Sequence, residues 1–410
     1  MSSEILQEKG PTTSDQPPGG ASLNIRTIGK YLRNADLGQL PVLVALLLIG
    51  VYFQVTSPNG TFLSYQNLNN LVLQIATIGM LGLASVLVLL IGEIDLSLGV
   101  VSYTCAAITA VLSVQHGWSA IPALLAGLGT GALIGLVNGF FVAILHVPSF
   151  IVTLAGLLAY QGVVLHILYP QTSLIIVDPY VANIAISYLP DVLGIGLPAA
   201  AVLLYAAGVL YARIQRQRIG LAFPPAWATW LRIGVVVVFV AGTVAIFEGY
   251  LGVPQSTAIL MGSILLFWLI MRFTSFGRHV YAVGGNAEAA RRAGINVTGI
   301  RITIFVLAST LAAVGGILQA SRLDTASADV DQTLLLNAIA TAVIGGVSLF
   351  GGRGSVWAIV LGSLVIGSLS NGLDLLNQNT DVKFIVEGIV LIIAVTIDAL
   401  ARRRRTAGIR

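Results

Sequence analysis

Residues 277–301 read GRHVYAVGGNAEAARRAGINVTGIR, with one carboxylate at Glu288, guanidinium groups at Arg278, Arg291, Arg292 and Arg301, and five glycines. Asn286 is a good helix N-cap, because its side-chain oxygen can accept an N–H that the first turn leaves unpaired. Ala287, Glu288, Ala289, Ala290, Arg291, Arg292 and Ala293 are good helix formers. Glu288 stands in the first turn and the arginines near the last, the order that the helix dipole favours. Gly294 is placed to end the helix in a left-handed cap. The spacing therefore predicts a helix of about two turns, entered through a flexible Gly284-Gly285 pair. So short a helix needs a surface to lie against. Small residues on one face and arginines on the other suit the groove of a partner protein. The plainer reading is a solvated basic loop.

Other ionisable groups are few and scattered. Glu93 and Asp95 follow one long apolar run, and Glu387 opens the last one. Glu93 and Asp95 mark a membrane boundary, with Asp95 an anion at the start of the next helix; the alternative is a gate at the cytoplasmic exit. Asn138, Gln161, Asn337 and Thr341 lie inside apolar runs, and Asn371 lies at the end of one. They bond between helices or, with Glu387, line a polar pathway. An ion-coupled secondary transporter would keep ionisable groups within the membrane, and these runs nearly lack them, so that class is the second reading.

The four histidines form no close ligand pair, and Cys105 is the single cysteine, so no metal site and no intrachain disulfide are expected. No lysine stands in a Gly-Lys-Ser/Thr sequence, which a Walker A loop requires. No catalytic group is expected, and ATP with its Mg would be bound by a different polypeptide, with no cofactor on this one.

The elements that must hold these groups are membrane helices. Of 410 residues, 56% are hydrophobic and 9% charged, against about a quarter charged in soluble domains. The mean hydropathy is +0.92. An all-α polytopic membrane protein of the plasma (bacterial inner) membrane is predicted. Apolar runs at 40–55, 68–91, 96–114, 119–144, 150–169, 194–213, 230–247, 254–271, 302–320, 333–350, 355–370 and 384–400 make about twelve crossings, with ten to twelve as the range. The short alternating segments of a membrane β-barrel are absent. Residues 1–39, with PTTSDQPPGG at their centre, are expected to form a disordered cytoplasmic tail, without a cleavable signal peptide. Residues 40–410 form the membrane domain.

With the N-terminus in the cytoplasm, 19 of the 21 lysines and arginines fall inside, leaving only Arg322 and Lys383 outside. The positive-inside rule thus puts both termini and residues 272–301 in the cytoplasm. It also accounts for the net charge of +4 and the pI of 9.3 without invoking nucleic acid. The outer loops carry a net charge of −6, which either reflects the exclusion of basic residues or steers a soluble partner onto the outer mouth. Gly127, Gly131, Gly135 and Gly139 repeat every four residues and form a helix-packing seam.

Glu288-Ala289-Ala290 followed by Gly294 resembles the EAA-type coupling loop of ABC importer permeases, whose short helix docks into the ATP-binding subunit. The fuller YAVGGNAEAARRAGINV is similar to the loop of sugar ABC permeases of the ribose and xylose type. IGEIDLSLG at 91–99, AVIGGVSLFGGRGS at 342–355 and LSNGLDLL at 369–376 also resemble that family's segments. The Ile-Leu-Pro tail of the longer EAA consensus is absent after Gly294. Residues 190–247 resemble an extra helical hairpin found in the longer xylose-type permeases.

The resemblance implies a permease subunit for xylose or a related monosaccharide, with another pentose, a hexose or a nucleoside as alternatives in the same family. It also implies a second permease copy as homodimer partner, an ATP-binding subunit, a soluble sugar-binding protein and surrounding membrane lipid. It implies ATPase coupling through Gly284, Gly285, Asn286, Glu288, Ala289, Ala290, Arg291, Arg292 and Gly294. Ala289, Ala290 and Ala293 are expected to enter the ATPase groove.

Overall fold

The computed structural model describes residues 40–220 and 225–407. The tail at 1–39, and with it the N-terminus, lies outside them. In chain order the elements are α1 (Leu40–Thr56), a 3-10 turn (Pro58–Leu63), α2 (Tyr65–Leu90), α3 (Leu98–Val114), α4 (Ala120–Ala143) and α5 (Ser149–Leu168). Next come β1 (Ser173–Ile175), α6 (Pro179–Asn183), α7 (Asp191–Arg218), α8 (Ala226–Glu248), α9 (Gln255–Phe273), α10 (Ser275–Gly285) and α11 (Ala287–Arg292). The rest are α12 (Val297–Arg322), β2 (Thr325–Ser327), α13 (Gln332–Ile344), α14 (Ala358–Leu375) and α15 (Thr380–Ala407).

Among the described residues, eight helices are long and apolar enough to cross a membrane: α2, α4, α5, α7, α8, α9, α12 and α14. The 26 residues of α2 reach roughly 39 Å at ~1.5 Å per residue, more than the ~30 Å of hydrocarbon. The remaining predicted crossings fall on α1, α3 and α13, which are shorter apolar helices, and on α15. The run expected at 333–350 stops as a helix at Ile344. Gly346, Gly351, Gly352 and Gly354 beyond it all have positive φ, which a helix cannot accommodate.

Helix α2 is the centre of the larger of two compact units, which comprises 40–198 and the described residues from 241 onward. Every residue from Ile75 to Leu90 is buried, which is why this helix is apolar all round. Helices α9, α12, α13 and α14 pack on it.

The glycine seam joins α4 to α12, which runs antiparallel to it. A Cβ on Gly131 would stand 2.7 Å from Ser309 O, one on Gly135 2.6 Å from Val306 Cα, and one on Gly139 3.0 Å from Ile302 Cα. Gly127 packs instead on α3, where a Cβ would meet Thr109 and lie 3.0 Å from Cys105 O. With little hydrophobic drive between helices in lipid, such close backbone approach supplies the packing energy.

The fold is not purely helical. β1 and β2 pair antiparallel, with Leu174 opposite Ala326, and both residues are buried. Hydrogen bonds from Ile176 N to Asp324 O (2.9 Å) and from Ala328 N to Thr172 O (2.8 Å) extend this contact. Ser321 Oγ accepts from Ala185 N (2.9 Å) and donates to Ala182 O (2.7 Å), fixing α6 beside the end of α12.

Residues 199–220 and 225–240 form a second compact unit, a helical hairpin within the stretch expected at 190–247. Inside it Arg213 Nη1 donates to Thr229 Oγ1 and Arg232 Nε to Tyr205 OH, each at 2.8 Å.

Candidate functional site

Helix α11 forms as the residue types dictate. Asn286 Oδ1 accepts from Ala289 N at 2.9 Å. At the other end Ile295 N bonds Ala290 O at 3.0 Å, and Gly294 takes φ +84°. Glu288 pairs within the helix, at 3.1 Å from Arg292 and 3.7 Å from Arg291. These groups are exposed, so the pairs contribute only about 0–1 kcal/mol.

One expectation is corrected here. Ala290 is 5% exposed and belongs to the chain's own core, with Ala287 and Ile295 packed beside it. Positions 287 and 290 are one turn apart on the same helix face, and that face is turned inward. Ala290 is therefore the anchor of α11 and not part of a groove-filling surface. The outward face is Glu288, Ala289, Arg291, Arg292 and Ala293, all exposed.

The Gly284-Gly285 pair also differs from its expectation. It forms the end of α10, clamped between two other backbones. A Cβ on Gly284 would overlap Leu90 O and lie 2.6 Å from Gly352 N. Gly352 N donates to Leu90 O at 2.9 Å. Cβ atoms on Gly351 and Gly352 would stand 2.7 Å from Gly284 O and from Gly285 Cα respectively. The end of α2, the end of α10 and the 345–357 loop thus meet with no side chain between them.

Two further ties brace this junction. Tyr281 OH donates to Gly354 O at 3.0 Å. Arg301 Nη2 pairs with Glu93 Oε1 at 2.9 Å, with both side chains mostly buried. Glu93 therefore joins the loop after α2 to the second turn of α12. Sequence reasoning missed Gly351, Gly352, Tyr281 and Arg301 as site residues. The available signal was the second Gly-Gly pair, which the first one needed as its partner.

Beside Glu93, Asp95 accepts from Ser97 N (2.8 Å) and Ser97 Oγ (2.6 Å) through Oδ1, setting the turn into α3. Asn138 Nδ2 donates to Ser97 Oγ at 3.1 Å, and Tyr160 OH donates to Asn138 Oδ1 at 2.8 Å. One polar chain therefore links the start of α3 to α4 and α5. Asp95 is buried, and among the described residues its Oδ2 has no hydrogen-bond partner. Burial pushes its carboxyl from 3.8 up to about 6, against the opposing pull of the Ser97 hydrogen bonds.

A folded-state pKa above the unfolded one means that the native protein binds the proton more tightly. Stability from this group is then gained as pH falls through 6 towards 4. Asp95→Asn keeps the Oδ1 acceptor and removes the buried charge. Its thermal midpoint in detergent is expected to exceed the wild type's at pH 7.5 and to change less between pH 7.5 and 5. A lower midpoint with an unchanged pH slope would contradict the assignment.

The other polar residues have separate partners. Asn67 Nδ2 donates to Asn371 Oδ1 at 2.9 Å, and Gln161 Nε2 to Ala328 O at 3.0 Å. Asn337 Nδ2 donates to Glu387 Oε2 at 3.2 Å. Thr341 is fully buried, against Gly82 and Gly362. Ser97 links Asp95 to Asn138, Asn337 bonds Glu387 and lies one turn from Thr341, and Gln161 and Asn371 bond other partners. Among the described residues no group of three or more His, Cys, Asp or Glu could hold a metal ion.

Comparison with known proteins places this geometry in context. Residues 67–395 match the family model described as branched-chain amino acid transport system / permease component. The chain is 35% identical over 376 residues to the xylose transport system permease protein XylH of Haemophilus influenzae, covering 91% of this chain and 99% of that one. It is 35% identical to XylH of Escherichia coli K12, over 95% of this chain and 100% of the relative. It is 30% identical to the ribose import permease protein RbsC of Escherichia coli K12, covering 90% and 96%. No solved structure matches the chain.

Proposed function

Because the chain belongs to the branched-chain amino acid transport system / permease component family, we propose that it is the membrane-spanning subunit of an ATP-driven importer for a monosaccharide, with xylose as the first candidate. The observation that carries the substrate class is similarity to sugar permeases along nearly the whole chain, at 35% identity to the xylose proteins. As a permease component it is not the ATP-hydrolysing enzyme, and ATP with Mg is bound by a separate subunit.

Coupling runs through α11. The exposed Glu288, Ala289, Arg291, Arg292 and Ala293 face docks on the ATP-binding subunit, while Ala290 holds the helix to the membrane domain. Movement of that subunit reaches the central helix α2 through the glycine junction at Gly284, Gly351 and Gly352. The Glu93–Arg301 pair carries it to the loop before α3. Backbones in direct contact transmit displacement without side-chain slack, which suits a chain that must be driven mechanically from outside.

The protein lies in the bacterial plasma membrane with about twelve crossings and both termini cytoplasmic. The charge bias supports this, as does the company that residues assigned to one side keep. Gly284 meets Leu90 and Gly352, and Glu93 meets Arg301, all on the inner side. On the outer side Lys383 pairs with Asp374, and Ser321 bonds Ala182 and Ala185. A second copy of the chain, the ATP-binding subunit, a soluble sugar-binding protein and lipid complete the assembly. The acidic outer loops steer the binding protein.

The test is reconstitution in liposomes with the ATP-binding subunit and the binding protein. Xylose accumulation that requires ATP is expected, and the permease alone should show no uptake driven by a proton or sodium gradient. Gradient-driven sugar uptake by the permease alone, or ATP-driven import of leucine and not of sugar, would overturn the reading.

A further inference from the structure

We propose that a cavity between α3, α12 and β2 is a monosaccharide subsite at the outer mouth of the permease, a proposal that rests on the sugar-importer reading above. The cavity measures about 170 Å³, and its lining includes Tyr103, Gln319, Leu323, Thr325, Ser327 and Asp329. That is below the ~300–1,000 Å³ of sites for drug-sized ligands and suits one small ring.

Its chemistry is that of a sugar site. Tyr103 accepts from Asp331 N at 3.3 Å, which keeps its hydroxyl proton available. Gln319 Oε1 accepts from Arg322 Nη2 at 3.4 Å, and among the described residues its amide N–H groups make no bond and can donate. Ser327 Oγ accepts from Asp329 N at 3.0 Å, a turn made by the Asp329 backbone, and among the described residues its carboxylate makes no hydrogen bond. A sugar hydroxyl both donates and accepts, so a carboxylate, an amide and a phenol around one ring satisfy several hydroxyls together. The Tyr103 ring, Ala106, Gly316 and Ala320 supply an apolar wall for the C–H face.

The lining carries one carboxylate and no cationic side chain. Arg322 stands outside the lining, held to Gln319 Oε1 at 3.4 Å, so an amino acid's carboxylate would meet Asp329 with no cation in the lining itself, whereas a neutral polyol brings no charge to balance. The cavity lies beside the β1–β2 contact, among residues that the charge bias puts outside. Its function is to take the sugar from the binding protein with low affinity before passage inward.

The test uses the permease in complex with its ATP-binding subunit, in right-side-out vesicles. Leu323→Cys, at the exposed rim, is introduced into a Cys105→Ser background and labelled with an impermeant maleimide. Millimolar D-xylose is expected to slow labelling and L-leucine to leave it unchanged. Adding Gln319→Leu and Asp329→Asn should abolish that protection. The same pair should cut uptake at saturating binding protein roughly tenfold or more, as expected when a hydrogen bond to a charged group is lost. Binding-protein-stimulated ATP hydrolysis should be retained, which a merely misfolded permease would not do. Labelling unaffected by D-xylose, or wild-type uptake in the double variant, would overturn the subsite while sugar import stands. Absence of sugar import by wild-type vesicles, with no protection by D-xylose, would overturn both readings.

Discussion

Gly284→Ala is expected to abolish ATP-dependent uptake and to lower the thermal midpoint of the purified permease. The added Cβ would overlap Leu90 O and come within 2.6 Å of Gly352 N. Both obstacles are backbone, so no rotamer change can relieve them. Overpacking costs about 1–3 kcal/mol where side chains can shift, and this site falls at the upper end because they cannot. The damage should also be directional. α10 must move away from the end of α2, which breaks the Gly352 N–Leu90 O hydrogen bond and tilts α11 from its floor. Gly285→Ala is the control, since its Cβ would meet nothing within 4 Å. Thermal unfolding in detergent and uptake in reconstituted vesicles should separate the two variants. Equal behaviour would mean that the junction is looser than its geometry.

Ala289→Trp should produce the opposite combination, an intact permease that no longer holds its ATPase. Ala289 is exposed on α11, and its N–H is already satisfied by Asn286 Oδ1. The bulky side chain therefore disturbs nothing within the chain, and the midpoint should stay within the ~0.5 kcal/mol typical of surface changes. A docked partner would meet the indole directly. Co-purification of the ATP-binding subunit should fall at least tenfold, about 1.4 kcal/mol of binding, and uptake should fall with it. Ala290→Glu should instead lose the fold of this region, since it places a charge in the core. Gly294→Val should be milder than Ala290→Glu. Gly294 has open space around it, so its cost is the strain of positive φ alone, about 1–3 kcal/mol. Normal ATPase binding by Ala289→Trp would remove α11 from the interface.

The contrast between Ala289 and Ala290 marks the limit of what was legible in the sequence. Local signals were readable because they act within a few residues: the Asn286 cap, the Gly294 stop and the four-residue glycine repeat all depend on neighbours in the chain. The apolar runs were readable because lipid imposes a length. What could not be read was which face of α11 points inward, since that is decided by its packing against α10 and α12. The Gly284–Gly351 contact joins residues far apart in sequence, and each pair alone looks like a flexible spot. The break at Gly345-Gly346 was hidden by the apolar residues on both sides of it. The β1–β2 pair is too short to leave an alternating pattern.

Site-directed cross-linking from Ala289→Cys, in a Cys105→Ser background, tests most directly the claim that α11 docks on a separate ATPase. The permease is expressed with its ATP-binding subunit and treated with a short thiol-to-amine cross-linker in inside-out vesicles. An adduct containing the ATP-binding subunit is expected from position 289, together with shielding of that cysteine from impermeant thiol reagents in intact cells. The absence of any adduct with the ATP-binding subunit, or labelling of position 289 from outside intact cells, would contradict the account.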